Sequence, residues 1–95
     1  MSENTDQKIA LVTGASRGIG FAVAQSLVEQ GFFVIGSASN EKNAKKLQAD
    51  FETKSMNAKA IALDVTKPSA AKETLNFIKT SYGQAPTILV NNAGI

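Results

Sequence analysis

Three glycines set behind an apolar run constrain this chain more than any other feature. Ile9 to Val12 is continuously apolar, Thr13 closes it, and Gly14, Gly18 and Gly20 follow in T-G-A-S-R-G-I-G before an amphipathic pattern begins. That order describes a strand, a tight turn and the first turn of a helix. A helix start presents amides without intrahelical partners, and aligned peptide dipoles add a partial positive charge there, so the junction suits an anionic phosphate group. Glycine adopts backbone conformations closed to other residues, and its missing side chain lets a diphosphate approach the main chain.

Three other uses of the same turn can be weighed. Glycines serving only close packing would need neither the strand before nor the helix after, and both are present, which is the context a binding turn requires. Gly14-Ala15-Ser16-Arg17-Gly18 also fits G-x-S-x-G and would make Ser16 an acyl-transfer nucleophile. That chemistry needs a base, and the chain holds no histidine. It also needs a second oxyanion donor from an earlier strand-to-helix loop, and none precedes the first strand. A nucleoside-triphosphate loop requires Gly-Lys-Ser/Thr, which does not occur.

The rest of the chain alternates. The first strand is expected over Lys8 to Thr13, with consecutive apolar residues as in a strand covered on both faces. From Arg17 to about Gln30, Ile19, Ala22, Val23, Ser26 and Leu27 recur at helical spacing, and Gly31 stops the helix. Phe32 to Gly36 reads as a second strand and S-A-S-N-E as a polar junction. A second helix follows, with Ala44, Leu47 and Phe51 on one face and Lys42, Lys45, Lys46 and Asp50 toward water. Ala58 to Leu63 reads as a third strand ending on Asp64-Val65. Thr66-Lys67-Pro68 opens a third helix, proline being tolerated in a first turn, with a core stripe of Ala71, Leu75, Ile78 and Tyr82 and a stop at Gly83. Thr87 to Asn91 reads as the fourth strand, breaking at Ala93-Gly94.

Strand and helix therefore alternate in the order β-α-β-α-β-α-β, which implies an α/β domain with a doubly wound parallel sheet of Rossmann type and strand order 3-2-1-4. At 95 residues there is room for one small domain and one site. With 43% hydrophobic and 19% charged residues and a net charge of +2, neither disorder nor an electrostatic grip on nucleic acid is indicated. Absent cysteine and histidine remove disulfides, thiol nucleophiles and the usual Cys/His zinc sites, so no metal is expected. The lead-in M-S-E-N-T-D-Q lacks the features of a signal or transit peptide and no apolar run reaches membrane-spanning length, so the chain reads as cytoplasmic.

T-G-x-x-x-G-I-G after the first strand, N-N-A-G after the fourth and Asp64-Val65 between them resemble the short-chain dehydrogenase/reductase family across the whole chain. T-G-A-S-R-G-I-G, V-I-G-S-A-S and I-L-V-N-N-A-G-I are together similar to its bacterial reductases of 3-oxoacyl groups on acyl carrier protein, in fatty-acid synthesis. The resemblance implies cofactor contacts at Gly14, Ser16, Arg17, Gly18, Ile19 and Gly20, an adenine contact at Asp64 with the Val65 amide, and a ribose contact at Asn92 with Ala93 and Gly94. From the residues alone, Asp64 can also be a solvated strand-end acid, Asn91 and Asn92 strand terminators, and Thr13 strand-end packing.

An acid at the end of the second strand would accept bonds from a ribose 2′-hydroxyl and repel a 2′-phosphate. Ser37-Ala38-Ser39 stands there instead, offering two hydroxyls, and the nearest acid, Glu41, belongs to the next helix start. Arg17 opposes the helix dipole, an unfavourable placement unless the side chain swings into water or an anion shares the site. The expected cofactor is NADP(H), with Ser39 and Arg17 at its extra phosphate. The family's catalytic tyrosine is followed by lysine four residues later. Tyr82, the one tyrosine, is followed at that spacing by Pro86 and reads as a core residue, so no catalytic residue is expected among these 95. The catalytic elements of the family would lie beyond Ile95, together with the helices that build its common homotetramers. The chain is thus expected to be the N-terminal, cofactor-binding portion of a longer enzyme acting on an acyl-carrier-protein-linked substrate; the alternatives are a short-chain reductase of a different carbonyl substrate and an NADP-binding module without turnover.

Overall fold

A computed structural model describes residues 7–16, 18–64 and 66–92. Strands β1 (Ile9–Thr13), β2 (Phe33–Ala38), β3 (Ala58–Ala62) and β4 (Ile88–Asn91) alternate with helices α1 (Gly18–Glu29), α2 (Glu41–Thr53) and α3 (Ala70–Tyr82). The sheet runs in the order β3-β2-β1-β4, all pairs parallel, with Leu11 level with Ile35 on one side and Leu89 on the other. This is the expected strand order.

Alternation along β1 and β2 sends successive side chains to opposite faces. Ala10, Val12, Val34 and Ala38 meet Ala24 and Leu27 of α1 and Ala44, Leu47 and Phe51 of α2. Ile9, Leu11 and Ile35 on the other face meet Ile78 of α3, flanked by Phe33 and Ile61. Both central strands are buried almost throughout, which is why their apolar residues run consecutively. Phe51 is the largest fully buried side chain, and its ring stacks on Phe21 of α1 at 5.9 Å between centroids.

Local chemistry sets the helix ends. The Asn40 side chain accepts from the Asn43 amide at 2.8 Å and caps α2. Gly83, at φ 75°, ends α3 in the left-handed conformation with its amide on the Lys79 carbonyl.

Several expectations are corrected. β2 continues through Ser37 and Ala38, both buried, because Gly36 and Ser37 face packed neighbours rather than water. The buried face of α1 is Gly20, Ala24 and Leu27, with Ile19, Ala22 and Ser26 exposed: the helix is turned so that Gly20 lies against the preceding loop. Pro68 precedes α3 in a turn rather than sitting in its first turn. The buried face of α3 is Thr74 and Ile78, whereas Ala71, Leu75 and Tyr82 are exposed. Tyr82 is therefore not a core residue; its ring packs at the margin against Phe33, 5.3 Å between centroids. The α2 face of Ala44, Leu47 and Phe51 is as expected.

Gly36 ties this core to the loop above it. A Cβ there would lie 2.9 Å from that of Ala15 and 3.0 Å from the Phe51 ring, so glycine is what lets both pack on β2. Gly36→Ala should cost about 1–3 kcal/mol by overpacking, read as a lower denaturant midpoint at unchanged m-value. An unchanged midpoint would contradict this packing.

Candidate nucleotide site

The β1–α1 turn is fixed by four elements. From β2, the Ser37 hydroxyl accepts the Gly14 amide at 3.2 Å and the Ser37 carbonyl accepts the Ala15 amide at 2.8 Å. From the end of β4, the Asn92 side-chain amide donates to the Gly14 carbonyl at 3.0 Å. From within β1, Thr13 Oγ1 donates to Asn91 Oδ1 at 3.1 Å and accepts the Asn92 amide at 3.0 Å. From α1, Gly20 presses on the turn so closely that a Cβ would stand 2.2 Å from the Gly14 carbonyl oxygen and 2.7 Å from Asn92 Nδ2.

The three glycines thus do different work. Gly14 and Gly18 have φ of 65° and 57°, where other residues are strained. Gly20 permits contact between two backbones. Among the described residues, chain neighbours apart, nothing lies within 4 Å of where a Cβ on Gly18 would stand, and Ile19 is 76% exposed. The start of α1 is therefore open to a ligand. Its first turn carries no acid, unlike those of α2 and α3, so no side chain of its own offsets the dipole there.

Ser39 and Asp64, at the ends of β2 and β3, are exposed and line the same groove of about 820 Å³. The Ser39 hydroxyl accepts from Asn43 Nδ2 at 3.4 Å, a long contact. Asp64 Oδ1 accepts both the hydroxyl and the amide of Thr66, leaving Oδ2 uncommitted among the described residues. The Thr66 hydroxyl first, and then its amide, hold the Asp64 carboxyl below the ordinary aspartate range, with Lys67 adding a weaker attraction against a slight opposing effect of burial.

Of the expected site residues, Gly14, Ser16, Gly18, Ile19, Gly20 and Asn92 meet at the turn, and Ser39 and Asp64 meet along the groove. Arg17, Val65, Ala93 and Gly94 lie outside the described residues. Ser37 is corrected: at 1% exposure, with its hydroxyl on Gly14, it offers nothing to a ligand, which leaves Ser39 alone at the strand end. A buried hydroxyl demands an internal partner, and with the strand expected to end at Gly36 the sequence does not disclose that Ser37 lies inside β2. Thr13, Asn91 and Asn92 join β1 to β4, which spacing alone does not disclose. Among the described residues no cluster of acids could hold a metal, and no helix is long and apolar enough to cross a membrane.

The sequence pattern described as short chain dehydrogenase matches residues 8–95. The chain is 47% identical over 92 residues to the 3-oxoacyl-[acyl-carrier-protein] reductase FabG of Escherichia coli strain K12, covering 97% of this chain and 36% of that protein. It is 50% identical over 92 residues to the protein of the same name from Vibrio harveyi, with the same two coverages. To that of Salmonella typhimurium it is 48% identical over 88 residues, 93% of this chain and 34% of that protein. The chain spans about a third of the length of these curated relatives.

Gly20→Ala should cost about 3 kcal/mol, the upper end for overpacking, whereas Gly18→Ala should show only the left-handed strain of about 1–2 kcal/mol. Denaturant midpoints compare the two directly, and equal losses would refute the separate roles. For Asp64, whose folded pKa is depressed, the turn it makes with Thr66 is stabilised above the unfolded-state pKa and loses that contribution as pH falls through the folded value. A carboxyl NMR titration should find the midpoint below the ordinary aspartate value and shifted upward in Thr66→Val; no shift would remove the Thr66 hydroxyl as the cause.

Proposed function

This chain belongs to the short-chain dehydrogenase family, and on that premise we propose that it forms the cofactor-binding half of an NADPH-dependent oxidoreductase. Its substrate is a 3-oxoacyl thioester on acyl carrier protein, reduced to the 3-hydroxyacyl form in fatty-acid synthesis. The observation that carries the reading is the β1–α1 turn, braced by Ser37, Asn92 and Gly20 and open beside Gly18. Support for the substrate class is the 47–50% identity to proteins named 3-oxoacyl-[acyl-carrier-protein] reductase.

The residues fit a dinucleotide. The open space at Gly18 and the acid-free first turn of α1 suit a diphosphate, held by the turn residues Gly14 and Ser16 and the amides of Gly18, Ile19 and Gly20. At the end of β2 the exposed Ser39 hydroxyl replaces the acid that would repel a 2′-phosphate, and Arg17 is the cation that pairs with it. Asp64 Oδ2 accepts the adenine amino group, with the Val65 amide beside it, and Asn92, Ala93 and Gly94 lie along the ribose. When bound, NADPH supplies the hydride for carbonyl reduction. These residues bind and orient the cofactor, and we assign none of them to proton transfer. The working enzyme is cytoplasmic and homotetrameric in this reading.

Titration of the chain with NADPH and NADH, followed by nicotinamide fluorescence, should show tighter NADPH binding. Arg17→Ala should weaken NADPH by about tenfold or more, the worth of a charge-assisted pair, and leave NADH nearly unchanged. Equal affinities in the parent would refute the phosphate assignment, and binding of neither would refute the cofactor role. NADPH oxidation on adding a 3-oxoacyl thioester to the protein bearing this sequence tests the substrate class.

A further inference from the structure

β3 is an edge of the sheet, and its outer side is the floor of the groove between α2 and α3. Asn57 accepts from Val34, and the Leu63 amide donates to Ala38, so the odd-numbered residues of this stretch face β2. Alternation then turns the main-chain groups of Ala58, Ala60 and Ala62 outward. Outward amides on an apolar edge strand form a template on which another chain can pair. Here the template is interrupted. The Ala58 amide folds back onto the Met56 carbonyl at 2.9 Å, and the Ala60 amide donates to Gln48 Oε1, a side chain of α2, at 2.8 Å. The carboxamide of Gln48 is oriented in turn, since its Nε2 donates to Glu52 Oε2 at 3.2 Å.

We propose that Gln48 acts as a one-residue substitute strand, closing the β3 edge to strand addition by a second copy of this chain. The partner excluded is a second β3, because this strand is self-complementary. Antiparallel pairing about Ala60 sets Ala58 across from Ala62 and Lys59 across from Ile61, so no lysines oppose each other. The one charged residue of the strand therefore does not guard it against its own copy, and a net charge of +2 gives little repulsion between copies. The proposal is independent of the cofactor reading, since it concerns backbone groups along the middle of β3.

Amide hydrogen exchange and sedimentation test it together. In the unmodified chain the Ala60 amide should exchange more slowly than that of Ala62. Gln48→Met keeps the side-chain length and removes the acceptor, so Ala60 exchange should rise about tenfold while Leu11 in the central strand stays protected. The average mass of the variant should also climb with concentration more steeply than that of the parent. Adding Ala60→Pro, which removes the outward donor at a position where an edge strand tolerates proline, should return the mass to the parent value. Glu52→Ala, an exposed change that leaves the core intact, frees the Gln48 carboxamide and should produce both effects at smaller size. An unprotected Ala60 in the parent overturns the proposal. So does faster exchange without added association, or association that persists with Ala60→Pro.

Discussion

The contact between Gly20 and Gly14 is the constraint on which the rest of the site depends. Two main chains meet there with no room for a methyl group, and Asn92 closes the same spot from β4. A helix held at backbone contact has its axis and rotation fixed by hard-sphere repulsion, which is steeper than side-chain packing. Ser37 adds direction, because its hydroxyl and carbonyl take two successive amides of the turn. Each such bond contributes only about 0.5–1.5 kcal/mol. Their larger effect is to leave the turn a single conformation, so that the unpaired amides at the start of α1 point outward before any ligand arrives.

The core reaches this turn through few atoms. Ala15 is fully buried, and beneath it Gly36 brings β2 close enough for the Phe51 ring to lie on the same patch of sheet. Phe51 stacks on Phe21, which rides on α1. The apolar packing of α2 is thus connected to the placement of α1, and both to the loop between β1 and α1. On the opposite face a single helix supplies Ile78, and Leu75, Phe77 and Leu89 are 39%, 49% and 58% exposed. The tightly packed side of the sheet is the side whose helix opens the candidate site.

Element order, strand order and the α2 face were legible in the sequence because they follow from consecutive apolar runs and a clean helical period. What escaped was phase and partnership. In α1 the apolar residues suggested a face through Ile19 and Val23, but Gly20, read as a turn glycine and cofactor contact and not as a packing residue, is the point of closest contact and rotates the helix away from that face. In α3 the spacing of Leu75, Ile78 and Tyr82 was real, yet the sheet receives only Ile78 and Thr74. Periodicity gives the width of an apolar stripe and not how much of it a neighbour covers. Ser37 was grouped with Ser39 because both carry hydroxyls. Their roles separate because β2 runs on through Ala38, which buries Ser37 within the strand and leaves Ser39 exposed beyond its end, and only the fold supplies that length.

That separation divides the site into two kinds of residue. Ser37, Asn92, Gly14 and Gly20 act on the backbone of the turn, and the part of a dinucleotide suited to that backbone, its diphosphate, is common to both nicotinamide cofactors. Disturbing them should alter affinity for either cofactor in parallel. Ser39 and Asp64 are exposed side chains at strand ends, clear of that framework, and in the proposed site they take the adenosine end, where the two nicotinamide cofactors differ by one phosphate. Substitutions there can change preference without moving the turn, because neither Ser39 nor Asp64 donates to or accepts from a residue of the turn among the bonds described. In the proposed site, the preference between the two cofactors is therefore set by surface residues while the buried contacts stay fixed. Where α1 meets the turn, even a single methyl group at Gly20 has no space.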